Sequence, residues 1–172
     1  MATRDRNSQL SLFGDGAGPP ATPRRSVKSV EPVAVDADLE ANAAALPAHV
    51  RLGTSSWSFP GWSHIVYAGE HSESLLARRG LAAYARHPLL RCVGIDRTYY
   101  RPVNVETLAA YRAEVPDGFR FVVKAHEDVT LPRFTSHPRY GARSGQENSR
   151  YLDPAYATDA VVAPAVEGLG TT

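Results

Sequence analysis

The chain has 172 residues, of which 43% are hydrophobic and 22% charged, and its formal net charge is +1. These values are typical of one globular domain, and the small net charge gives no sign of bulk attraction to nucleic acid or to a membrane. The one cysteine, Cys92, leaves neither a disulfide framework nor a thiolate metal site. No run approaches the roughly 18 apolar residues of a membrane span, and the N-terminus lacks the apolar core of a secretory signal, so we expect a cytoplasmic protein without a membrane partner.

Residues 1–48 are predicted to be a disordered leader. They contain many glycines and prolines, mixed charges and one aromatic, Phe13. Such a segment buries too little apolar surface to offset the conformational entropy of the chain. An alanine-rich stretch at residues 38–46 favours a short helix that leads into a folded domain over residues 49–172.

Strand and helix patterns alternate from Val50 onward. A strand that breaks into a polar turn is predicted over residues 50–57, and two further strands are predicted over residues 89–95 and 119–125. A helix over residues 74–87 is stopped by Pro88, and a second runs from an Asn104 N-cap to residue 115. A third begins at residues 153–154 and is limited to about three turns by Pro164. The side chains expected to face inward are Leu76, Leu81, Tyr84 and Ala85 with Gly80 on the first helix, and Val105, Leu108, Tyr111 and Val115 on the second.

This alternation predicts an α/β fold with a parallel sheet, because strand–helix–strand units cross over right-handedly between parallel strands. Three strands that are buried on both faces make a poor domain by themselves. The sequence stops where a fourth strand would follow, so we expect a chain that is cut short.

Several motifs in chain order resemble the YecE-like family, also called domain of unknown function 72. They are Gly53-Thr-Ser-Ser-Trp-Ser-Phe, Pro60-Gly-Trp with Tyr67, Ala83-Tyr-Ala, Val93-Gly-Ile-Asp-Arg-Thr-Tyr-Tyr-Arg-Pro, Val115-Pro-Asp-Gly-Phe-Arg-Phe-Val-Val-Lys-Ala and Arg150-Tyr-Leu-Asp-Pro. The resemblance covers the chain from about Val50 to its end. It implies a TIM-barrel-like fold, which usually needs on the order of 250 residues, so the chain would hold the first three or so β/α units.

The chain departs from the family pattern at two places. The family more often has glycine at Ser56, and a Glu-x-Asn pair where this chain has Gly94 and Asp96. Any role of that family glutamate is therefore not carried over. The family name itself implies no established activity, and neither the motifs nor the composition indicates a cofactor.

Candidate site residues follow from the barrel rule that function lies at the carboxyl ends of the strands. The candidate catalytic residues are Asp96, Lys124 and His126, and the candidate substrate-binding residues are Ser55, Trp57, Trp62, Tyr99, Tyr100 and Arg101. Together they place an acid, a base, cations and aromatic faces around one rim.

Lys124 is the one lysine beside thirteen arginines in residues 50–172. A compact ammonium at a strand end suits a phosphate or carboxylate, or a desolvated amine nucleophile. The alternative is a structural ion pair with Asp96 on the neighbouring strand.

The other candidates also have two interpretations. Asp96 and His126 are metal-ligand types, but two ligands are too few for a site, and a histidine after a strand is usually only hydrogen-bonded, so no metal is predicted. Trp57 and Trp62 suit an aromatic wall for a sugar or a base, or packing against the rim. The loop over residues 132–150 interleaves four arginines with aromatics and only Glu147 opposing, which suits phosphate contacts and base stacking, or a solvated, partly disordered loop.

The leader contains Gln9-Leu-Ser-Leu-Phe13, which resembles the pentapeptide by which bacterial repair and replication proteins dock on the sliding clamp. Gln9 offers an amide for hydrogen bonds, while Leu10, Leu12 and Phe13 form one apolar cluster in a polar segment. The alternative is a few hydrophobic residues that fold onto the domain.

Three functions therefore remain open from the sequence. The first is a barrel enzyme on a phosphate-bearing or nucleic-acid substrate, recruited by the sliding clamp. The second is a small-metabolite enzyme that uses Lys124, and the third is a binding module without catalysis. The sequence does not predict an oligomeric state.

Overall fold

A computed structural model describes residues 29–170. Its centre is a sheet of three parallel strands, β1 (Leu52–Thr54), β2 (Leu90–Ile95) and β3 (Arg120–Val123), which lie side by side in chain order. The predicted α/β class with a parallel sheet is confirmed. Within residues 29–170 the sheet is open, since β1 and β3 form its two edges and do not pair with each other.

The helices are short, and most follow a strand. They are α1 (Ala37–Ala45), α2 (Glu73–Arg79), α3 (Leu81–Tyr84), α4 (Arg97–Tyr100), α5 (Val105–Ala113), α6 (Glu127–Thr130), α7 (Pro154–Ala157) and α8 (Ala163–Leu169), with 3-10 turns at Pro60–Trp62 and Pro138–Arg143. The predicted N-caps Asn104 and Asp153 accept hydrogen bonds from backbone N–H groups of the first turns of α5 and α7. No helix in the described part of the chain has the length and apolar character needed to cross a bilayer.

The helix after residue 153 differs from the prediction that Pro164 limits it. Helical backbone continues from α7 through a π-helical segment, Thr158–Val162, into α8 and ends at Leu169. A π turn shifts the hydrogen bonding to i→i+5, and Pro164 falls in the first turn of α8, where a missing N–H costs little. The proline therefore marks a change of helix type.

Residues 29–48 also differ from the expected boundary at residue 49, because they pack on the domain. Val30 is buried, the Val33 N–H donates to the Val66 carbonyl at 2.9 Å, and the Ala68 N–H donates to Glu31 at 2.9 Å. Helix α1 is capped by Asp36, and the Arg91 guanidinium donates to the α1 carbonyl of Ala43. Residues 29–48, the described part of the predicted leader, are therefore structured and pack against the domain.

The core lies between the helices and one face of the sheet. Val93 and Ile95 of β2 are fully buried there with Leu76, Tyr84 and Leu108. Leu76, Tyr84 and Leu108 are predicted to face inward from the first two helical regions, and their burial confirms this. The other face carries Gly53 of β1 and Gly94 of β2, and Val122 of β3 on that face is 57% exposed.

Gly53 lies where β1 passes very close to β2. A Cβ atom at this position would be 2.1 Å from the carbonyl oxygen of Cys92, a backbone atom that cannot move without shifting the strand. We expect Gly53→Ala to lower the free energy of unfolding by about 1–3 kcal/mol or more through overpacking.

Urea denaturation measures the effect of Gly53→Ala. Gly69→Ala is the matched control, because a Cβ there meets nothing within 4 Å. Equal stability of the two variants would contradict the close approach of β1 to β2.

Candidate functional site

An ion pair joins the carboxyl ends of β2 and β3. The Lys124 ammonium lies 2.8 Å from Oδ1 of Asp96, and the two side chains are 51% and 36% exposed. Asp96 directly follows β2 and Lys124 directly follows β3, so the parallel pairing of these strands brings the two groups together. The ion pair that one interpretation predicted is present, and it remains open to solvent on one side.

The environment of Lys124 keeps its amine protonated. The close contact with the Asp96 carboxylate and its negative charge raise the pKa of Lys124 above its ordinary value. A nucleophilic lysine needs the opposite shift, which comes from burial in apolar surroundings. In this arrangement the side chain is a cation, and it suits an anionic group better than it suits covalent chemistry.

Two tyrosines and an arginine extend this edge. Tyr99 and Tyr100 lie in α4, directly after Asp96, and their rings meet edge to face at 5.2 Å. The Arg139 guanidinium lies 5.8 Å from the Tyr99 ring and 5.1 Å from the Tyr100 ring. The Tyr100 side chain is exposed. Lys124, Tyr99, Tyr100 and Arg139 together form what we call the cationic edge.

The buried carboxylate of Glu127 holds Arg139 in place. Glu127, at the start of α6, is buried, and its Oε2 lies 2.7 Å from Arg139 and 3.2 Å from the Tyr140 hydroxyl. Its other oxygen lies 3.4 Å from Arg143. The geometry fixes the guanidinium of Arg139, while 35% of its side chain remains accessible to solvent.

Asp128 repeats this arrangement for the next arginines. It is buried and pairs with Arg143 at 2.9 Å and with Arg150 at 3.3 Å. Arg143 stacks on Phe134 and Arg150 on Tyr156. The expectation that only Glu147 opposes the arginines of residues 132–150 is therefore wrong, since Glu147 pairs with Arg133 alone. Two buried acids preceding the loop organise it.

His126 lies beneath this surface. It is buried, its Nδ1 accepts a hydrogen bond from the Asp128 N–H at 3.3 Å, and the same atom is 3.0 Å from the Tyr156 hydroxyl. As the N-cap of α6, it fixes the turn that carries Glu127 and Asp128. The structure does not bring its ring to the exposed side of the edge.

The two tryptophans have different positions. Trp57 is buried in the core and meets the Tyr111 ring edge to face at 5.1 Å. Trp62 is partly buried and forms an edge-to-face pair with the exposed ring of Phe59 at 5.8 Å. Trp62 and Ser55 both line a cavity of about 420 Å³ at the carboxyl end of β1. Arg101 is exposed at the end of α4.

Across residues 29–170, no group of three or more His, Cys, Asp or Glu side chains is arranged to hold a metal ion. The clamp-like motif, Gln9, Leu10, Leu12 and Phe13, lies outside the described residues.

Comparisons with known proteins address the family. The profile described as "Protein of unknown function DUF72" matches residues 51–162. A crystal structure of a DUF72 family protein from Enterococcus faecalis is 25% identical with a TM-score of 0.44, and the match covers 69% of this chain and 35% of that chain. The chain thus spans about a third of the length of that protein, and a search of curated proteins finds no match. Because the profile covers well over half of the sequence, this chain belongs to the DUF72 family.

Proposed function

We propose that residues 49–172 form the opening β/α units of a TIM-barrel-like domain whose carboxyl edge binds a phosphate-bearing ligand. The strand order supports the barrel, because β1, β2 and β3 neighbour each other in chain order, as successive barrel strands do. The exposed Val122 on the second face of the sheet is the kind of branched residue that fills the interior of a closed barrel.

The observation that carries the ligand proposal is the half-exposed ammonium of Lys124, fixed by Asp96 at the carboxyl end of β3. Arg139 provides a second cation beside Tyr99 and Tyr100, and Glu127 sets its orientation. Charge-assisted hydrogen bonds from a point cation and from a planar guanidinium are the usual way to hold a phosphate. Two preorganised donors also reduce the entropy lost on binding.

The site residues take different roles in this proposal. Lys124 and Arg139 bind the anion, Asp96 positions Lys124, and the exposed Tyr100 offers a flat face beside the charge. His126 is a positioning residue, because it is buried and caps α6. Ser55 and Trp62 lie on the β1 side of the same edge. Arg101 is a further exposed cation. Trp57 is buried in the core and supports the edge from there.

A small-metabolite enzyme that uses Lys124 as a nucleophile is less well supported, because Asp96 raises the pKa of the amine. A binding module without catalysis accounts for the same contacts. Nucleic acid is one phosphate-bearing ligand of this kind. Arg139 beside Tyr100 and Arg150 beside Tyr156 favour it, because such pairs suit phosphate contacts and base stacking. The clamp-like motif would supply recruitment to DNA.

Binding of inorganic phosphate and of a phosphate monoester to Lys124→Met tests the proposal. We expect affinity to fall tenfold or more, because one of two fixed cations is lost, while the free energy of unfolding changes by less than about 1 kcal/mol, as for an exposed ion pair. Calorimetric titration and urea denaturation give the two quantities.

Arg133→Met is the matched control. It removes a cation that is paired with Glu147 on the surface of the loop that also carries Arg139. It should leave phosphate affinity within about twofold of the wild type, because the charge of Arg133 is exposed to solvent and already paired with Glu147. Unchanged affinity of Lys124→Met together with lower stability would show that the pair with Asp96 is structural only.

A further inference from the structure

A cavity of about 420 Å³ opens at the carboxyl end of β1. The side chains that line it combine hydroxyls, aromatic rings and one carboxylate: Ser55, Ser56, Ser58, Phe59, Trp62 and Glu73. None of the six carries a positive charge. The cavity therefore does not repeat the anion chemistry of the cationic edge.

Hydrogen bonds fix the positions of two of the serine hydroxyl groups, those of Ser56 and Ser58. Oγ of Ser56 lies 3.0 Å from Oγ of Ser58 and accepts a hydrogen bond from the Ser58 N–H at 3.1 Å. Ser55 next to them is exposed at the strand end. Serine hydroxyls both donate and accept hydrogen bonds, so a short row of them matches a ligand that also carries adjacent hydroxyls.

The aromatic part of the cavity is accessible. The Phe59 ring is 58% exposed and stands edge to face with Trp62. Flat aromatic faces pack against the apolar C–H side of a ring, while the polar groups around them fix its orientation. The Glu73 carboxylate, exposed in the first turn of α2, adds an acceptor for hydroxyl donors. This combination is that of a neutral polyhydroxy ring.

The cavity and the cationic edge lie at the carboxyl ends of neighbouring parallel strands. A Cβ atom on Gly94 would lie 2.6 Å from the Ser55 carbonyl oxygen, so Ser55 sits directly against β2. Gly94 is two residues before Asp96, a step of roughly 7 Å along a strand. Asp96 contacts Lys124 at 2.8 Å. One small phosphorylated molecule is long enough to reach from the cavity to the ammonium.

We propose that this cavity is the sugar subsite of the phosphate site, so that the ligand is a sugar phosphate, either free or as part of a nucleotide. The inference rests on the proposed phosphate function. The ring lies between Phe59 and the serine hydroxyls, and the phosphate lies at Lys124. Gly94 is required between the two halves because a side chain there would collide with Ser55.

Ribose 5-phosphate, ribose and inorganic phosphate are titrated separately into the full chain. Ribose 5-phosphate should bind at least tenfold more tightly than inorganic phosphate. Phe59→Ala should remove this advantage and leave the affinity for inorganic phosphate unchanged. Phe59 is exposed, so the variant keeps its fold. Ile65→Ala is the matched control, because Ile65 is equally exposed and does not line the cavity.

The outcomes separate the two proposals. Equal affinity for ribose 5-phosphate and inorganic phosphate, or an equal loss in Phe59→Ala and Ile65→Ala, overturns the sugar subsite and leaves the phosphate site standing. Absence of binding by inorganic phosphate and by ribose 5-phosphate overturns both. Loss of the advantage in Phe59→Ala alone, with loss of both phosphate ligands in Lys124→Met, supports both.

Discussion

Glu127→Gln is expected to lower the free energy of unfolding by about 2–3 kcal/mol. The side chain of Glu127 is only 7% exposed, and it pairs with Arg139 and Arg143. Breaking a buried ion pair by removing one partner typically costs about 3–5 kcal/mol, since it leaves a buried charge without compensation. The remaining guanidinium groups here are partly accessible to solvent, which places the expected loss below that range.

The same substitution should also weaken phosphate binding. Glu127 accepts the hydrogen bond that holds Arg139 above Tyr99 and Tyr100, so without this charge the guanidinium loses its fixed position. Thermal and urea denaturation report the stability, and calorimetric titration reports the affinity. Glutamine keeps the size of the side chain, so the difference from the wild type isolates the charge.

Glu147→Gln is the matched control, because it removes the acid that lies within residues 132–150 themselves. Glu147 pairs with Arg133 at 3.0 Å, but its side chain is 84% exposed. Exposed ion pairs contribute between 0 and about 1 kcal/mol, so stability should hardly change. If both variants lose the same small amount of unfolding free energy, the buried carboxylates do not organise the loop over residues 132–150. Glu127 would then not fix the position of Arg139.

Local patterns predict the three strands and the helical regions that pack on the sheet, although the one helix predicted over residues 74–87 is divided at Gly80 into α2 and α3. Apolar spacing in residues 74–87 and 104–115 identifies the faces that become buried, including Leu76 and Leu108. Residues 29–36, which precede α1, show no such pattern, because single residues such as Val30 reach the core through long-range contacts with residues 66–68. The turns α4 and α6 have only four residues each, too few for periodicity to show.

Parallel topology alone predicts that Asp96 and Lys124 meet, because both directly follow neighbouring strands. Whether a candidate is exposed depends on partners that are distant in the sequence. Trp57 is buried against Tyr111, and His126 is near Tyr156, 30 residues further on. The pairing of Glu127 and Asp128 with arginines 12–22 residues away likewise has no local signal.

The clamp-like motif leads to a prediction that does not depend on the fold. A synthetic peptide over residues 6–15 should bind a bacterial sliding clamp with a dissociation constant around micromolar, because a short free peptide loses entropy on binding and makes few contacts. Replacing Leu12 and Phe13 together with alanine should abolish binding, both in the peptide and in the full chain. Inserted apolar side chains supply most of the energy of such short interfaces.

Alanine at Arg4 and Arg6 in the full chain is the control, since flanking charges mainly change the association rate and should leave the affinity within a few-fold. Surface plasmon resonance on immobilised clamp measures both the rate and the affinity. Binding of the Leu12/Phe13 double variant at wild-type strength, or no binding of the peptide at high micromolar clamp, removes the connection to DNA. A free sugar phosphate would then be a better candidate ligand for the cationic edge than a nucleic acid, because the arginines next to aromatic rings suit any phosphate ligand and do not by themselves recruit the chain to DNA.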